Sequence, residues 1–185
     1  LRLHCGKRTK QTIAWLTMPK WDAAGGMVDR EDFKGRTAYL GFDLSATTDF
    51  TAAVWIAPLD PIGEVEQGYL VWCRVWIPEE RVDELERLTG VPLRQWHKAG
   101  WVNFTEGNVV DYARFRADVS AETERLGCTV AETAYDPWNA TETVQEMQNE
   151  GHTMIPTRQG YLTLNAPAKE IERVVMGSTP ERPLF

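Results

Sequence analysis

Cysteine and histidine are scarce in this sequence. Its three cysteines, Cys5, Cys73 and Cys128, form no CxxC pair and leave an odd number. That excludes a disulfide framework and a thiolate zinc site, and implies a reduced compartment. The three histidines, His4, His97 and His152, lie far apart and form no HxxxH pair. A metal held here would therefore rest mainly on carboxylates, which favours magnesium or manganese over zinc. No stretch approaches the roughly 18 apolar residues of a spanning helix, so no membrane partner is expected. Positive charge is also in deficit: 20 Lys and Arg stand against 27 Asp and Glu, for a net charge of −7. A uniformly basic nucleic-acid coat is thereby excluded, whereas a local basic groove on an acidic protein is not. There is no GxxxxGK[ST] loop, so ATP hydrolysis by that route is not expected. Internal repeats and low-complexity tracts are missing too. With no initial methionine and no signal peptide, the chain reads as a piece of something longer.

What is present fits a packed α/β domain: 43% hydrophobic and 25% charged over 185 residues. Residues 1–36 read as an irregular segment with a short basic run (Lys7, Arg8 and Lys10), packed on the core through Trp15 and Trp21. Residues 37–185 read as the domain proper. Ala38, Leu40, Phe42 and Leu44 alternate with Tyr39, Gly41 and Asp43, the period of a strand. Thr51 to Ala57 and Gly68 to Ile77 are two further strands, and short connections make the three an antiparallel meander. Pro78, with Glu79 and Glu80 behind it, opens a helix. A short helix over Pro92 to Ala99 follows. Helical spacing runs from Val110 to Leu126 and stops at Gly127, with Asp111 as an N-cap or first-turn acid. Thr129 to Tyr135 is a strand. Asn139 and Glu142 have capping-box spacing for a helix from about Ala140 to Glu150. A short strand over His152 to Thr157 and a last helix, read from Asn165, Pro167, Ile171, Val174 and Val175, complete the order.

A meander followed by βαβα units is the layout of an RNase H-like fold, a mixed five-stranded sheet flanked by helices. Its fourth strand pairs in parallel beside the first, which brings Asp43 and Asp136 together. Asp43 stands out because an acid within an apolar strand is costly to bury unless paired or metal-bound. Gly41, two residues earlier on the same face, leaves room around it. Two carboxylates from neighbouring strands can bridge divalent ions for in-line attack on a phosphodiester. Asp49, at the turn into the second strand, could add a ligand. Each has a structural alternative: Asp136-Pro137 is a common turn dipeptide, and Asp49 could simply serve a hairpin turn. Trp138 could stack on a base, although core packing is the better reading.

The chain resembles the nuclease domain of a tailed-bacteriophage large terminase subunit. The resemblance is carried by Gly41-Phe42-Asp43-Leu44-Ser45 with Thr47, Thr48 and Asp49; by Trp76-Ile77-Pro78-Glu79-Glu80; by Gly107-Asn108-Val109-Val110-Asp111-Tyr112; by Tyr135-Asp136-Pro137-Trp138-Asn139-Ala140; and by Gln159-Gly160 before Lys169-Glu170. It implies a viral endonuclease that cuts concatemeric double-stranded DNA in the host cytoplasm, using two magnesium or manganese ions. Asp43 would bridge both ions, Asp136 would hold one, and Asp49 would be auxiliary. Lys169 and Arg114 are weaker candidates for DNA contacts. The implied partners are the terminase ATPase domain, the small terminase subunit and the portal. The third core carboxylate of that family is expected downstream of Phe185, which would leave the domain C-terminally incomplete; Glu170 and Glu172 are substitutes better explained by an exposed helix face.

Other readings compete. Gly41 to Thr48 also resembles the first phosphate loop of an actin-like or sugar-kinase ATP-binding lobe, though Ser45 stands where that loop usually has glycine. A junction resolvase or transposase core would share the fold. A non-catalytic docking module of the packaging motor would fit the missing third acid and the negative charge.

Overall fold

The computed structural model describes residues 15–45, 50–59 and 68–179. Strand alternation dictates its centre. In β1 (Thr37–Asp43), Ala38, Leu40 and Phe42 are buried on one face while Tyr39 and Asp43 are exposed on the other. β2 (Thr51–Pro58) runs antiparallel to it, with Phe42 opposite Ala53 and Leu40 opposite Trp55. β3 (Tyr69–Pro78) completes the meander. A 3₁₀ turn at Glu79–Arg81 leads into α2 (Val82–Thr89), which Gly90 closes in the left-handed conformation at φ 72°. Then come α3 (Leu93–Lys98), β4 (Val102–Thr105) and α4 (Tyr112–Leu126). β5 (Thr129–Tyr135), α5 (Thr141–Asn149), β6 (Met154–Pro156) and α6 (Tyr161–Gly177) follow.

The sheet order is β4-β3-β2-β1-β5-β6, with β1, β5 and β6 mutually parallel and β4 parallel to β3. The RNase H-like expectation is met, with a correction to the strand count: six strands, not five. β4 was not anticipated because it has only four residues, too few for alternation to show. Its pairing with Val75 to Pro78 of β3 defines it.

The main core lies between the Leu40 face of the sheet and the helices α4 and α5. Trp55, Trp76, Phe115, Val119, Leu126 and Met147 are almost wholly buried there. Phe115 meets Trp76 edge to face at 4.8 Å and Phe42 at 5.7 Å. Burying an indole strands its N–H unless an acceptor is supplied. α4 supplies three: Trp76 donates to Asp118, Trp72 to Glu122 and Trp55 to Thr123, each at 2.9 Å. These bonds pin α4 along the sheet. Ile77, Val82, Leu85, Leu93 and Val102 form a second cluster under α2 and α3.

Before β1, the segment expected to be irregular contains α1 (Met18–Ala24) and a 3₁₀ turn at Arg30–Phe33. Pro19 sits in the first turn of α1, where a missing N–H costs nothing. α1 lies against α6, with Ala24, Val174 and Val175 buried and Lys20 Nζ donating to the Met176 carbonyl at 3.4 Å. Trp15 and Trp21 remain about half exposed, at 58% and 51%.

Candidate active site

Three parallel strands end on the same edge of the sheet, and the chain segments leaving β5 and β6 line one cleft there. Ligands on open α/β sheets collect at such carboxyl ends. The register pairs Phe42 of β1 with Tyr135 of β5. Their rings stack at 6.0 Å with an interplanar angle of 20°, fixing both strand ends from the core side. The next residues, Asp43 and Asp136, therefore sit at the same level of adjacent strands and share the opposite face, about 5 Å apart by the spacing of paired strands. Asp43 is exposed and Asp136 half-buried.

The predicted pairing of Asp43 with Asp136 is thus met in register, but one reason offered for it is not. Asp43 is the last residue of β1 and faces solvent, so its burial demands no metal. What singles it out is its neighbour of like charge.

Both carboxylates are oriented. The Trp138 backbone N–H donates to Asp136 Oδ1 at 3.1 Å, closing an Asx turn. Gln159 Nε2 donates to Asp43 Oδ2 at 3.4 Å. Gln159 reaches Asp43 because Thr157 N–H bonds the Tyr135 carbonyl at 2.8 Å, which locks the end of β6 beside that of β5. On the other side, Ser45 N–H donates to Thr51 Oγ1 at 3.0 Å, and Tyr112 Oη donates to the Ser45 carbonyl at 2.9 Å. α4 begins there, with Asp111 as the N-cap accepting from the N–H groups of Ala113 and Arg114, as its position in the sequence predicted.

The donor set suits a hard divalent cation. Among the described residues one carboxylate oxygen of each aspartate accepts no hydrogen bond, and Asp43 is exposed to water. Magnesium is commonly held by one or two carboxylates with water completing its shell. Among the described residues no group of three or more His, Cys, Asp or Glu is arranged as a metal site. Asp49 lies outside the described residues.

The remaining candidates are not gathered here. Arg114 is in the first turn of α4, but its Nε bonds Asp118 Oδ1 at 2.8 Å. Lys169 is exposed on α6, nine residues after Gly160, or about 13 Å along the helix axis. Its neighbour Glu170 accepts from Tyr69 Oη at 2.8 Å and pairs with Arg173 at 2.7 Å. Arg173 and Tyr69 hold the Glu170 carboxyl down at about 2. Tyr69 begins β3, at the end of the sheet away from Asp43, so Glu170 does not join the pair.

Trp138, expected to pack in the core, is 77% exposed. The predicted capping box fails beside it: Asn139 adopts φ 56° and Ala140 is the cap residue, with no side-chain bond. Arg158, which drew no notice in the sequence, shares the cleft with Asp136, Pro137, Trp138 and Gln159. Its position just after a short parallel strand is the signal that could have found it.

No curated protein matches the chain. The crystal structure of the HK97 bacteriophage large terminase superposes with a TM-score of 0.73 at 21% identity, over 91% of this chain and 34% of that one. The chain thus spans about a third of that protein's length and shares its fold. The family model for the terminase large subunit, endonuclease domain, matches residues 1–179. The chain belongs to the family of terminase large subunit endonuclease domains.

Proposed function

We propose that this chain is the nuclease of a phage DNA-packaging terminase, cutting concatemeric double-stranded DNA by two-metal-ion hydrolysis. The observation that carries the reading is the position of Asp43 and Asp136 at one level of adjacent parallel strands, each accepting a hydrogen bond from the loop after β5 or β6. In this reading Asp43 and Asp136 would hold the two magnesium or manganese ions, with Asp43 serving both and Asp49 as an auxiliary ligand. Such ions, when bound, supply an activated water and charge compensation at the phosphate. The protein's part is preorganisation. The Phe42–Tyr135 stack fixes the strand ends, the Asx turn aims Asp136, and Gln159 restrains Asp43. Family membership supports this reading over an ATP-binding lobe. The packaging ATPase domain, the small terminase subunit and the portal are the proposed partners, met in the host cytoplasm.

The test is incubation of supercoiled plasmid with the chain in Mn²⁺ or Mg²⁺. Nicked and linear products that vanish on chelation are expected. Nucleotide binding without any cleavage would instead support the ATP-lobe reading.

A further inference from the structure

Two groups on the rim of the cleft have no part in holding metal. Trp138 exposes 77% of its surface, more than any other tryptophan described. Its backbone is restrained: Pro137 restricts the chain before it, its own N–H is tied to Asp136, and Asn139 behind it is left-handed. An apolar ring is thus held out in water one turn from a candidate ligand. Arg158 is the second group. Arg30, Arg81, Arg94, Arg114, Arg125 and Arg173 each meet a carboxylate. Arg158 is exposed and meets none among the described residues, although it lines the same cleft as Asp136. Its neighbour Gln159 touches Asp43. An exposed guanidinium and an exposed indole therefore line, with Asp136, a space of about 420 Å³ whose Gln159 reaches Asp43.

We propose that Arg158 and Trp138 clamp the DNA strand at this site, Arg158 binding a backbone phosphate next to the one being cut and Trp138 stacking on the adjacent nucleotide. This inference rests on the nuclease reading. A planar guanidinium matches phosphate in a fork that a lysine cannot reproduce, and aromatic rings stack on bases of any sequence. The pairing also suits an acidic protein: it concentrates local positive charge at the one place where the backbone must approach two aspartates.

The experiment is fluorescence anisotropy of a labelled duplex in Ca²⁺ over a range of salt, with cleavage of the same duplex in Mn²⁺. Arg158→Gln should flatten the dependence of log K on log salt by about 0.9, the share of one phosphate, while Arg158→Lys keeps it. Trp138→Ala should weaken binding on the order of 10-fold with the slope unchanged, and Trp138→Phe should restore it. Binding and salt slope equal to the parent in Arg158→Gln and Trp138→Ala would overturn the clamp. So would loss of binding to another protein of the packaging motor, with DNA binding intact. If the parent cuts DNA and Asp43→Asn does not, such a result leaves the nuclease reading standing. A parent that neither binds nor cuts DNA removes both.

Discussion

Glu122 is the most informative residue to remove outside the cleft. It is a carboxylate 2% exposed on α4, and its Oε1 accepts from Trp72 Nε1 and Arg30 Nε, each at 2.9 Å. Oε2 accepts from Arg125 at 3.2 Å, and the Arg30 guanidinium lies 4.9 Å from the centroid of the Trp72 ring. Glu122→Ala leaves an indole N–H without its acceptor and Arg30 without its anion. Breaking a buried pair costs about 3–5 kcal/mol, and the lower end applies because Arg30 is 39% exposed and can turn to water. For a domain of this size about 3 kcal/mol corresponds to a fall of about 6–12 °C in Tm. The pH dependence has a definite sign. Burial alone would raise the Glu122 pKa, but hydrogen bonds from Arg30 and Arg125 and the charges of Arg74 and Arg30 outweigh it and hold the carboxyl below its usual value of 4.5. A depressed folded-state pKa gives stabilisation that is complete above the unfolded value and lost as pH falls through the folded one. In circular-dichroism melts, the deficit of Glu122→Gln relative to the parent should therefore be largest near neutrality and shrink below about pH 4.5. Melts of Glu122→Ala within about 2 °C of the parent at pH 7, or a Glu122→Gln deficit that grows in acid, would refute the reasoning.

Three further predictions concern the cleft. Gln159→Ala should raise the Mn²⁺ concentration for half-maximal cleavage by about 10-fold, at the low end for a residue orienting a ligand because its bond to Asp43 is long; an unchanged metal dependence would remove Gln159 from the site. Tyr112→Phe deletes the tether to the Ser45 carbonyl and should cost about 1 kcal/mol, read as a Tm fall of about 2–4 °C with cleavage reduced but present. Gly41→Ala adds a methyl group that meets nothing within 4 Å among the described residues, so it should fold and gain about 0.5–1 kcal/mol of strand stability. If that open space above β1 admits substrate, the same variant cuts DNA more slowly, and equal cutting would show that the space is not used.

The sequence made the strands legible wherever alternation was long enough. β5 spans the predicted Thr129 to Tyr135, and parity put Asp43 on the face away from Leu40 and Phe42. It hid what depends on partners. β4 has no pattern of its own and exists because β3 offers an edge. α6 begins at Tyr161 rather than near Asn165, because Pro167, which usually marks a helix start, lies inside the helix. The apolarity of Trp138 points to the core, yet the Asx turn and the left-handed Asn139 leave it exposed. Arg158 and Gln159 were invisible as site residues, since the lock between the ends of β5 and β6 that carries them to Asp136 and Asp43 is a backbone hydrogen bond.

Asp43 and Asp136 are proposed to form one divalent-metal site. The most direct test of this proposal is calorimetric titration of Mn²⁺ into the parent chain, Asp43→Asn and Asp136→Asn. Saturable binding by the parent and a marked loss in each single variant are expected, because the two carboxylates would act on the same ions. Binding that survives unchanged in both variants would contradict the proposal.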